Sequence, residues 1–127
     1  MDFIKKFWKP LAWTVIILIL CLMPRSVEPQ PSWLIQIPHF DKIVHWSLYA
    51  ILSFLMYLSK QEKQKIVFFI INILFAFVLG GSIELIQPYV GRSKELMDLI
   101  ADMVGSICGI PIYFIFQLYL NTPKSKA

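Results

Sequence analysis

The chain has 127 residues, of which 57% are hydrophobic and only 16% are charged. Soluble domains average about 45–50% apolar and about 25% charged residues, so this composition indicates a membrane protein rather than an ordinary soluble domain. The length suits a single small helical domain over residues 1–127, and the net charge of +4 is better explained by topology than by nucleic-acid binding.

A first helix is predicted at residues 8–23. Three lysines lie in the first nine residues, and the apolar run that follows, 11–23, is shorter than the typical span of about 20 residues. Trp8 and Trp13 are suited to anchoring a helix at the membrane interface. A cleaved signal peptide is the alternative, but the residues before Pro24 offer no small-x-small cleavage site. We therefore prefer an uncleaved helix.

Residues 24–40 form a predicted outer loop. Four prolines in this segment rule out a regular helix, because each removes a backbone N–H and restricts the residue before it. Trp33, Ile35 and Phe40 make the loop apolar enough to lie on a membrane surface. The sequence therefore predicts an extended segment that dips into the interface.

Three further helices are predicted, at residues 41–58, 66–87 and 98–119. Each is an apolar run with few polar interruptions, and short polar connectors separate them. Pro88 is expected to end the third helix and Pro111 to kink the fourth. Cys21 and Cys108 lie in apolar runs without a thiol motif or zinc spacing, so we predict free cysteines. The predicted fold class is all-α, an integral membrane four-helix bundle.

The distribution of lysine and arginine predicts the orientation of the helices. Four spans place both termini on one side, which carries eight basic residues against two acidic ones, while the opposite side carries four basic and six acidic residues. Because Lys and Arg are enriched on the cytoplasmic face, we predict both termini in the cytoplasm of a bacterium, with the chain in its cytoplasmic membrane. The basicity then reflects topology and attraction to anionic membrane lipids, and no nucleic-acid partner is predicted.

Polar side chains recur at helical spacing near the outer ends of the second, third and fourth helices. Residues three or four apart share a helix face, so each set forms a stripe. At about 1.5 Å rise per residue, His45, Glu84 and Asp102 each lie about 6 Å inside their helix ends. Charged groups avoid lipid, so the stripes are expected to face one another, with Arg92 covering them. The stripes are Asp41, His45 and Tyr49; Gly80, Glu84 and Gln87; and Asp98, Asp102, Gly105 and Gly109.

These residues also have structural interpretations. Asp41 and Asp98 suit helix N-caps, where a carboxylate favours the positive end of the helix. A histidine in a membrane helix, such as His45, can simply hydrogen-bond to a neighbouring helix. Gly105 and Gly109 have the small-xxx-small spacing that predicts close helix packing rather than a ligand site.

The same polar residues can also be interpreted as a binding or catalytic site. Carboxylates that lie close together in a low dielectric raise one another's pKa, and a nearby imidazole can act as an acid or base. His45, Glu84 and Asp102 are therefore the catalytic candidates. Lys42 and Arg92 can hold a phosphate or carboxylate. The acids and His45 also offer ligand atoms for a divalent cation, but no spacing is diagnostic, so neither a metal nor another cofactor is predicted.

At these positions the chain resembles the VanZ-like family of bacterial membrane proteins. The resemblance covers about residues 11–120 and rests on the order and spacing of the motifs together. The family takes its name from a protein linked to resistance to the glycopeptide teicoplanin, so the resemblance implies a cell-envelope role and names no reaction. Family members often carry Asn where this chain has Asp102. The matching pieces are Asp41-Lys42-x-x-His45 followed by Tyr49, Glu84-x-x-Gln87, Arg92, and Asp98-x-x-x-Asp102-x-x-Gly105-x-x-x-Gly109.

The sequence leaves three hypotheses of function. In the first, the outer pocket binds an envelope intermediate, such as a lipid-linked or peptidoglycan-related glycan headgroup. In the second, a membrane-embedded enzyme uses His45 with Glu84 or Asp102 as acid and base. In the third, the polar residues only hold the bundle or an assembly together. Under the first hypothesis, the ligand-binding residues are Asp41, Lys42, His45, Glu84, Gln87, Arg92, Asp98 and Asp102.

Overall fold

The structure is a computed structural model that describes residues 2–24, 39–59 and 65–121. These residues form four α-helices and no strand: α1 (Asp2–Leu22), α2 (Phe40–Ser59), α3 (Lys65–Ile86) and α4 (Leu96–Asn121). A short 3-10 helix, Gln87–Val90, directly extends α3. The predicted all-α fold with four helices is confirmed, whereas most of the predicted outer loop lies outside the described residues.

Helix α1 is longer than predicted. It begins at Asp2, six residues before the predicted start, and it runs through Pro10. A proline inside a helix removes one backbone hydrogen bond and clashes with the carbonyl four residues earlier, but membrane helices tolerate it where other groups satisfy the freed backbone atoms. The carbonyl of Pro10 accepts a hydrogen bond from the Thr14 hydroxyl at 2.8 Å. Likewise, α4 continues through Pro111 to Asn121.

The starts of α2 and α4 are also earlier than predicted. Helix α2 follows His39, which turns the chain with a φ of 59°, and α4 begins at Leu96. Asp41 and Asp98 therefore lie within the first turn of their helices rather than at the N-cap position. A carboxylate in the first turn is still favoured by the helix dipole, and both side chains remain available for contacts between helices.

Three of the described helical segments are long and apolar enough to cross a membrane: Phe40–Ser59, Ile66–Val90 and Leu96–Asn121. Helix α1 is not among them, and three lysines, at positions 5, 6 and 9, lie in its first half. Large apolar side chains cover the outside of α3 and α4, with Val78 at 58% exposed and Ile115 at 65%. Apolar surface of this extent suits contact with lipid rather than with water.

Helix α2 lies at the centre of the bundle. It packs most closely against α4, while α3 packs mainly on α4 and α1 mainly on α2. The Trp13 indole of α1 donates a hydrogen bond to the Leu48 carbonyl of α2 at 2.9 Å. Ile17, Tyr49 and Ile83 bring three helices into one apolar core. Cys21 is buried in that core and Cys108 is half-buried, and both are free, as predicted.

Two glycines allow α4 to approach α2. A Cβ atom at Gly105 would overlap the backbone carbonyl of Trp46, and one at Gly109 would overlap the backbone carbonyl of Ala50. Because these contacts are with main-chain atoms, no side-chain rotation can relieve them. The predicted packing role of the Gly105-x-x-x-Gly109 spacing is confirmed, and α2 is identified as its partner.

A small polar layer crosses the middle of the bundle. The Asn72 amide nitrogen of α3 donates hydrogen bonds to Ser53 Oγ of α2 at 2.7 Å and to Ser106 Oγ of α4 at 3.3 Å. All three side chains are at least 99% buried. Helix α3 packs mainly on α4 and has few other contacts with α2, so the hydrogen bond to Ser53 is a main link between α3 and α2.

Replacing Asn72 with alanine is expected to destabilise the bundle by about 1–2 kcal/mol. The change removes two interhelical hydrogen bonds, each worth about 0.6 kcal/mol on average inside a membrane, and leaves a small void. Reversible unfolding in mixed micelles measures the loss. The control is Asn121→Ala at the exposed end of α4, which should change stability by less than about 0.5 kcal/mol. Equal stability of the two variants would show that the polar layer does not hold α3.

Candidate polar site

The Lys42 side chain joins three carboxylates at one end of the bundle. Its Nζ lies 3.1 Å from Asp41 Oδ2, 2.7 Å from Glu95 Oε2 and 3.1 Å from Asp98 Oδ1. The Glu95 side chain is 39% exposed, whereas the Asp98 side chain is only 6% exposed. One ammonium group therefore links α2, α4 and the segment before α4. We call Asp41, Lys42, Glu95 and Asp98 the outer cluster.

The carboxyl of Glu95 has a pKa below its ordinary value of 4.5, chiefly because the Lys42 ammonium donates a hydrogen bond to it. The Ser93 hydroxyl donates a second one at 3.1 Å. A pKa that is lower in the folded state means that ionised Glu95 stabilises the fold above its unfolded pKa. That contribution is lost as the pH falls through the folded pKa. Because Glu95 is partly exposed, solvent limits it to less than about 1 kcal/mol.

We expect Glu95→Gln to lower the melting temperature slightly near neutral pH and to have no effect below the folded pKa of Glu95. Protonated Glu95 and glutamine are both uncharged, so the two proteins should converge as the pH falls below about 4. Melting curves of the wild type and the variant, recorded in parallel from about pH 7 to about pH 3, measure the difference. A difference that grows as the pH falls would contradict the assigned contact with Lys42.

His45 and Asp102 form a buried pair next to the outer cluster. His45 Nδ1 lies 2.9 Å from Asp102 Oδ1, and its Nε2 lies 3.9 Å from Asp98 Oδ2. His45 is 2% exposed and Asp102 is fully buried. An ionised Asp102 can only accept, so the imidazole donates Nδ1–H to it, while Nε2 faces Asp98 and can accept or hold a second proton.

Glu84 connects α3 to the start of α4. Its Oε2 accepts a hydrogen bond from the backbone N–H of Glu95 at 2.8 Å. The carbonyl of Glu95 in turn accepts from the backbone N–H of Asp98 at 2.9 Å, inside the first turn of α4. Because the Glu95 side chain contacts Lys42, the buried Glu84 is joined to the outer cluster through a single residue.

Gln87 and Arg92 reach toward the end of α1. The Gln87 amide donates to the carbonyl of Cys21 at 3.3 Å, and Arg92 Nη1 donates to the carbonyl of Met23 at 3.4 Å. The Arg92 backbone N–H also donates to the Gln87 carbonyl at 3.0 Å. Carbonyls in the last turn of a helix have no partner within the helix. These two side chains therefore satisfy the end of α1 and attach it to the polar site.

Asp102 also faces α3, at Gly80. A Cβ atom at Gly80 would lie 2.6 Å from Asp102 Oδ2, so the carboxylate approaches the α3 backbone one turn before Glu84. The two acids thus occupy adjacent levels of the α3–α4 contact. We call His45, Tyr49, Glu84, Gln87 and Asp102 the inner cluster.

Four oxygen atoms of the inner cluster are buried without a hydrogen-bond partner among the described residues: Tyr49 Oη, Glu84 Oε1, Gln87 Oε1 and Asp102 Oδ2. A buried polar atom without a partner costs about 1–3 kcal/mol, and such atoms are few in native proteins. Four of them in one cluster indicate a place that receives a ligand, an ion or water.

The structure brings the predicted residues together to different degrees. Asp41, Lys42, His45, Asp98 and Asp102 form one connected network, and Glu84 joins it through Glu95. Gln87 and Arg92 contact the end of α1 instead. The N-cap interpretation of Asp41 and Asp98 is wrong, because both residues lie inside the first turn of their helices.

Sequence reasoning missed Glu95 and Asn72. Glu95 lies three residues before Asp98, so the i, i+3 spacing of two acids was a signal for it. Asn72 lies in an apolar run, and it precedes Ala76, Gly80 and Glu84 at four-residue intervals, all of them buried. That spacing was the signal for Asn72.

The outer cluster has the spacing of a metal site but already holds a cation. Carboxylate oxygens of Asp41, Glu95 and Asp98 lie within 4.8 Å of one another. The Lys42 ammonium contacts all three of them, so it lies where a metal ion would bind and offsets one of their three negative charges. The outer cluster is best described as a lysine–carboxylate network.

Comparison with known proteins places the chain in one protein family. A profile of the VanZ/LLP1 family matches residues 1–117, which include every residue of the outer and inner clusters. No curated protein and no solved structure matches the chain. The chain therefore belongs to the VanZ/LLP1 family, and its apolar helices identify it as a membrane protein of that family.

Proposed function

We propose that the chain is a multi-pass protein of the bacterial cytoplasmic membrane that binds the polar headgroup of a lipid-linked or glycan envelope intermediate. The observation that carries the proposal is the continuity of the two clusters. Partly exposed Lys42 and Glu95 lie at the helix ends, and buried His45 and Asp102 lie next to them. A ligand with a polar headgroup and an apolar anchor matches hydrogen-bonding groups that lead from a helix end into an apolar bundle.

The contacts favour a headgroup rich in hydrogen-bond donors, such as sugar hydroxyls. The unpartnered carboxylate and amide oxygens of Glu84, Gln87 and Asp102 accept hydrogen bonds and cannot donate when the acids are ionised. Lys42 already contacts three carboxylates, and Arg92 donates to the Met23 carbonyl. A glycan therefore fits the available groups better than an isolated phosphate held by these two cations.

Orientation is the second part of the proposal: both termini face the cytoplasm and the clusters face outward. The excess of lysine at the terminal end of the helices supports it. Gln30→Cys and Lys94→Cys should react with a membrane-impermeant maleimide in intact cells, and Lys63→Cys only after lysis. The unmodified chain controls for the native cysteines. Labelling of Lys94→Cys only after lysis would overturn this orientation.

Headgroup binding is tested with purified protein in nanodiscs. We expect a lipid-linked glycan precursor to bind, and the same lipid phosphate without the glycan to bind at least about tenfold more weakly, since a few donor–acceptor contacts are worth about 1.4 kcal/mol. Glu84→Gln should weaken glycan binding, while the control Lys94→Gln, at an exposed position, should not. Equal binding with and without the glycan would contradict the proposal.

A cell-envelope role predicts a phenotype as well. Expression of the chain in a susceptible bacterium should change the growth-inhibitory concentration of teicoplanin, and the Glu84→Gln variant at equal abundance should not. An identical change in the growth-inhibitory concentration with both proteins would show that any resistance does not depend on the polar site.

The His45–Asp102 pair favours acid–base catalysis as a second candidate function. A buried carboxylate that orients an imidazole, with Nε2 directed toward another acid, is an arrangement suited to moving a proton. Incubation with labelled envelope lipids at several pH values should then give a product that His45→Gln abolishes. Absence of product from the wild-type protein across pH and divalent ions would count against catalysis while leaving headgroup binding intact.

A further inference from the structure

We propose that the inner cluster binds one hard divalent cation through oxygen atoms of Tyr49, Glu84, Gln87 and Asp102, between α2, α3 and α4. Hard cations such as Ca²⁺, Mg²⁺ and Mn²⁺ take carboxylate, carbonyl and hydroxyl oxygens as ligands. Ion binding needs no lipid-linked ligand, but the oxygens of Glu84, Gln87 and Asp102 serve both proposals, so a bound ion would compete with the headgroup for them or bridge to it.

The first support is the set of unpartnered oxygens. Tyr49 Oη, Glu84 Oε1, Gln87 Oε1 and Asp102 Oδ2 are buried and accept no hydrogen bond from the described residues. The four side chains are between 97% and 100% buried. Two of the four are uncharged, so the cluster is more than a group of acids. A cation would satisfy all four oxygens at once, since each offers a lone pair.

The second support is the placement of these side chains. Asp102 Oδ2 faces α3 at Gly80, and Glu84 follows Gly80 by one helical turn on the same face. Gln87 follows Glu84 by three residues, and Tyr49 lies one turn after His45 on α2. The side chains thus come from three helices, and two of them, Glu84 and Asp102, lie on adjacent levels of the α3–α4 contact.

The third support is charge. Within the described residues, the two clusters contain five carboxylates, those of Asp41, Glu84, Glu95, Asp98 and Asp102. Lys42 and, when protonated, His45 are the basic side chains of the two clusters, so at least three negative charges have no counter-charge within them when all five acids are ionised. Uncompensated charge inside a bundle is costly, by several kcal/mol per ion. One divalent cation supplies two of the missing positive charges.

The outer cluster is the competing location, and it is less suited to an ion. Its carboxylates surround the Lys42 ammonium, and a metal ion would have to displace that group. The inner cluster requires no displacement of a protein cation. Glu84 and Asp102 also each use only one oxygen in a protein hydrogen bond, so their second oxygens are available for coordination.

The experiment measures Mn²⁺ binding to the full chain, first stripped with a chelator, in nanodiscs of neutral phosphatidylcholine. Electron paramagnetic resonance counts free Mn²⁺, and competition with Ca²⁺ and Mg²⁺ tests ion preference. We expect one saturable site per chain. Glu84→Gln should weaken binding by about tenfold or more, and Tyr49→Phe, which removes only a hydroxyl, by about threefold. Asp41→Asn in the outer cluster is the matched control and should stay within about twofold.

The outcomes separate the alternatives. Absence of saturable Mn²⁺, Ca²⁺ or Mg²⁺ binding by the wild-type chain overturns the proposal and shows that the four oxygens are satisfied in another way. Weakening by Asp41→Asn that equals the effect of Glu84→Gln places the ion in the outer cluster and also overturns it. If Glu84→Gln fails to fold, Tyr49→Phe decides: unchanged affinity in that variant counts against an inner site. Headgroup binding is measured separately in the presence of a chelator. Either proposal can therefore be contradicted while the other stands.

Discussion

Replacing Gly105 with alanine will force α4 away from α2 and reduce the free energy of unfolding by about 3 kcal/mol, the upper end of the usual cost of overpacking. The added Cβ would meet the carbonyl oxygen, carbonyl carbon and Cα of Trp46. Main-chain atoms in a helix cannot rotate away, so the helices must separate along their closest contact. Alanine's higher helix propensity, about 1 kcal/mol relative to glycine, offsets only part of this cost.

Gly81→Ala is the matched control for Gly105→Ala. Its Cβ would meet nothing within 4 Å, so the variant should be unchanged or up to about 1 kcal/mol more stable. Unfolding in mixed micelles, followed by tryptophan fluorescence, gives both values in one assay. Similar stability of the two variants would mean that α2 and α4 are not in main-chain contact at Gly105.

Removing His45 alone will destabilise the bundle by about 3–5 kcal/mol, the cost of leaving a buried charge without its partner. In His45→Leu, Asp102 keeps a carboxylate that is fully buried and loses its 2.9 Å hydrogen bond. Asp98 also loses the imidazole that lies 3.9 Å away. The free energy of unfolding at neutral pH measures the loss, and it should shrink at low pH, where Asp102 can take up a proton.

The double variant His45→Leu/Asp102→Leu distinguishes a stabilising pair from a functional one. Replacing both partners with apolar groups removes the buried charge, so most of the lost stability should return. A folded double variant that no longer binds its ligand would assign the pair to function. A double variant as unstable as His45→Leu would show that Asp102 is not the reason for the loss.

The contact between the polar stripes was predictable because few alternatives exist. His45 and Asp102 lie at matching depth on helices that cannot expose charge to lipid, so the only position for them is against each other. The close packing of Gly105 and Gly109 followed from the same physics, since small residues let helix backbones approach. Hydrophobic runs alone are enough to predict the four helices, and only the predicted ends of the helices differ from those in the structure.

The contacts of Lys42 were not predictable. Lysine has a long side chain with many rotamers, and helical spacing does not determine which carboxylates its ammonium reaches. The position of α1 was equally unpredictable from the sequence. The side chains of Gln87 and Arg92 donate hydrogen bonds to main-chain carbonyls near the end of α1, and no side chain marks those carbonyls in the sequence. Glu95 depends on the same lysine: only its spacing to Asp98 marks it in the sequence, whereas its contacts are the Lys42 ammonium and, through its backbone N–H, Glu84.

The hydrogen bond from the Glu95 backbone to Glu84 also bears on how the chain is made. Helix α3 leaves the ribosome before α4, so the acceptor carboxylate is already synthesised when Glu95 emerges. We therefore expect the first turn of α4 to form against α3, in the register that turns Asp98 and Asp102 toward His45 of α2.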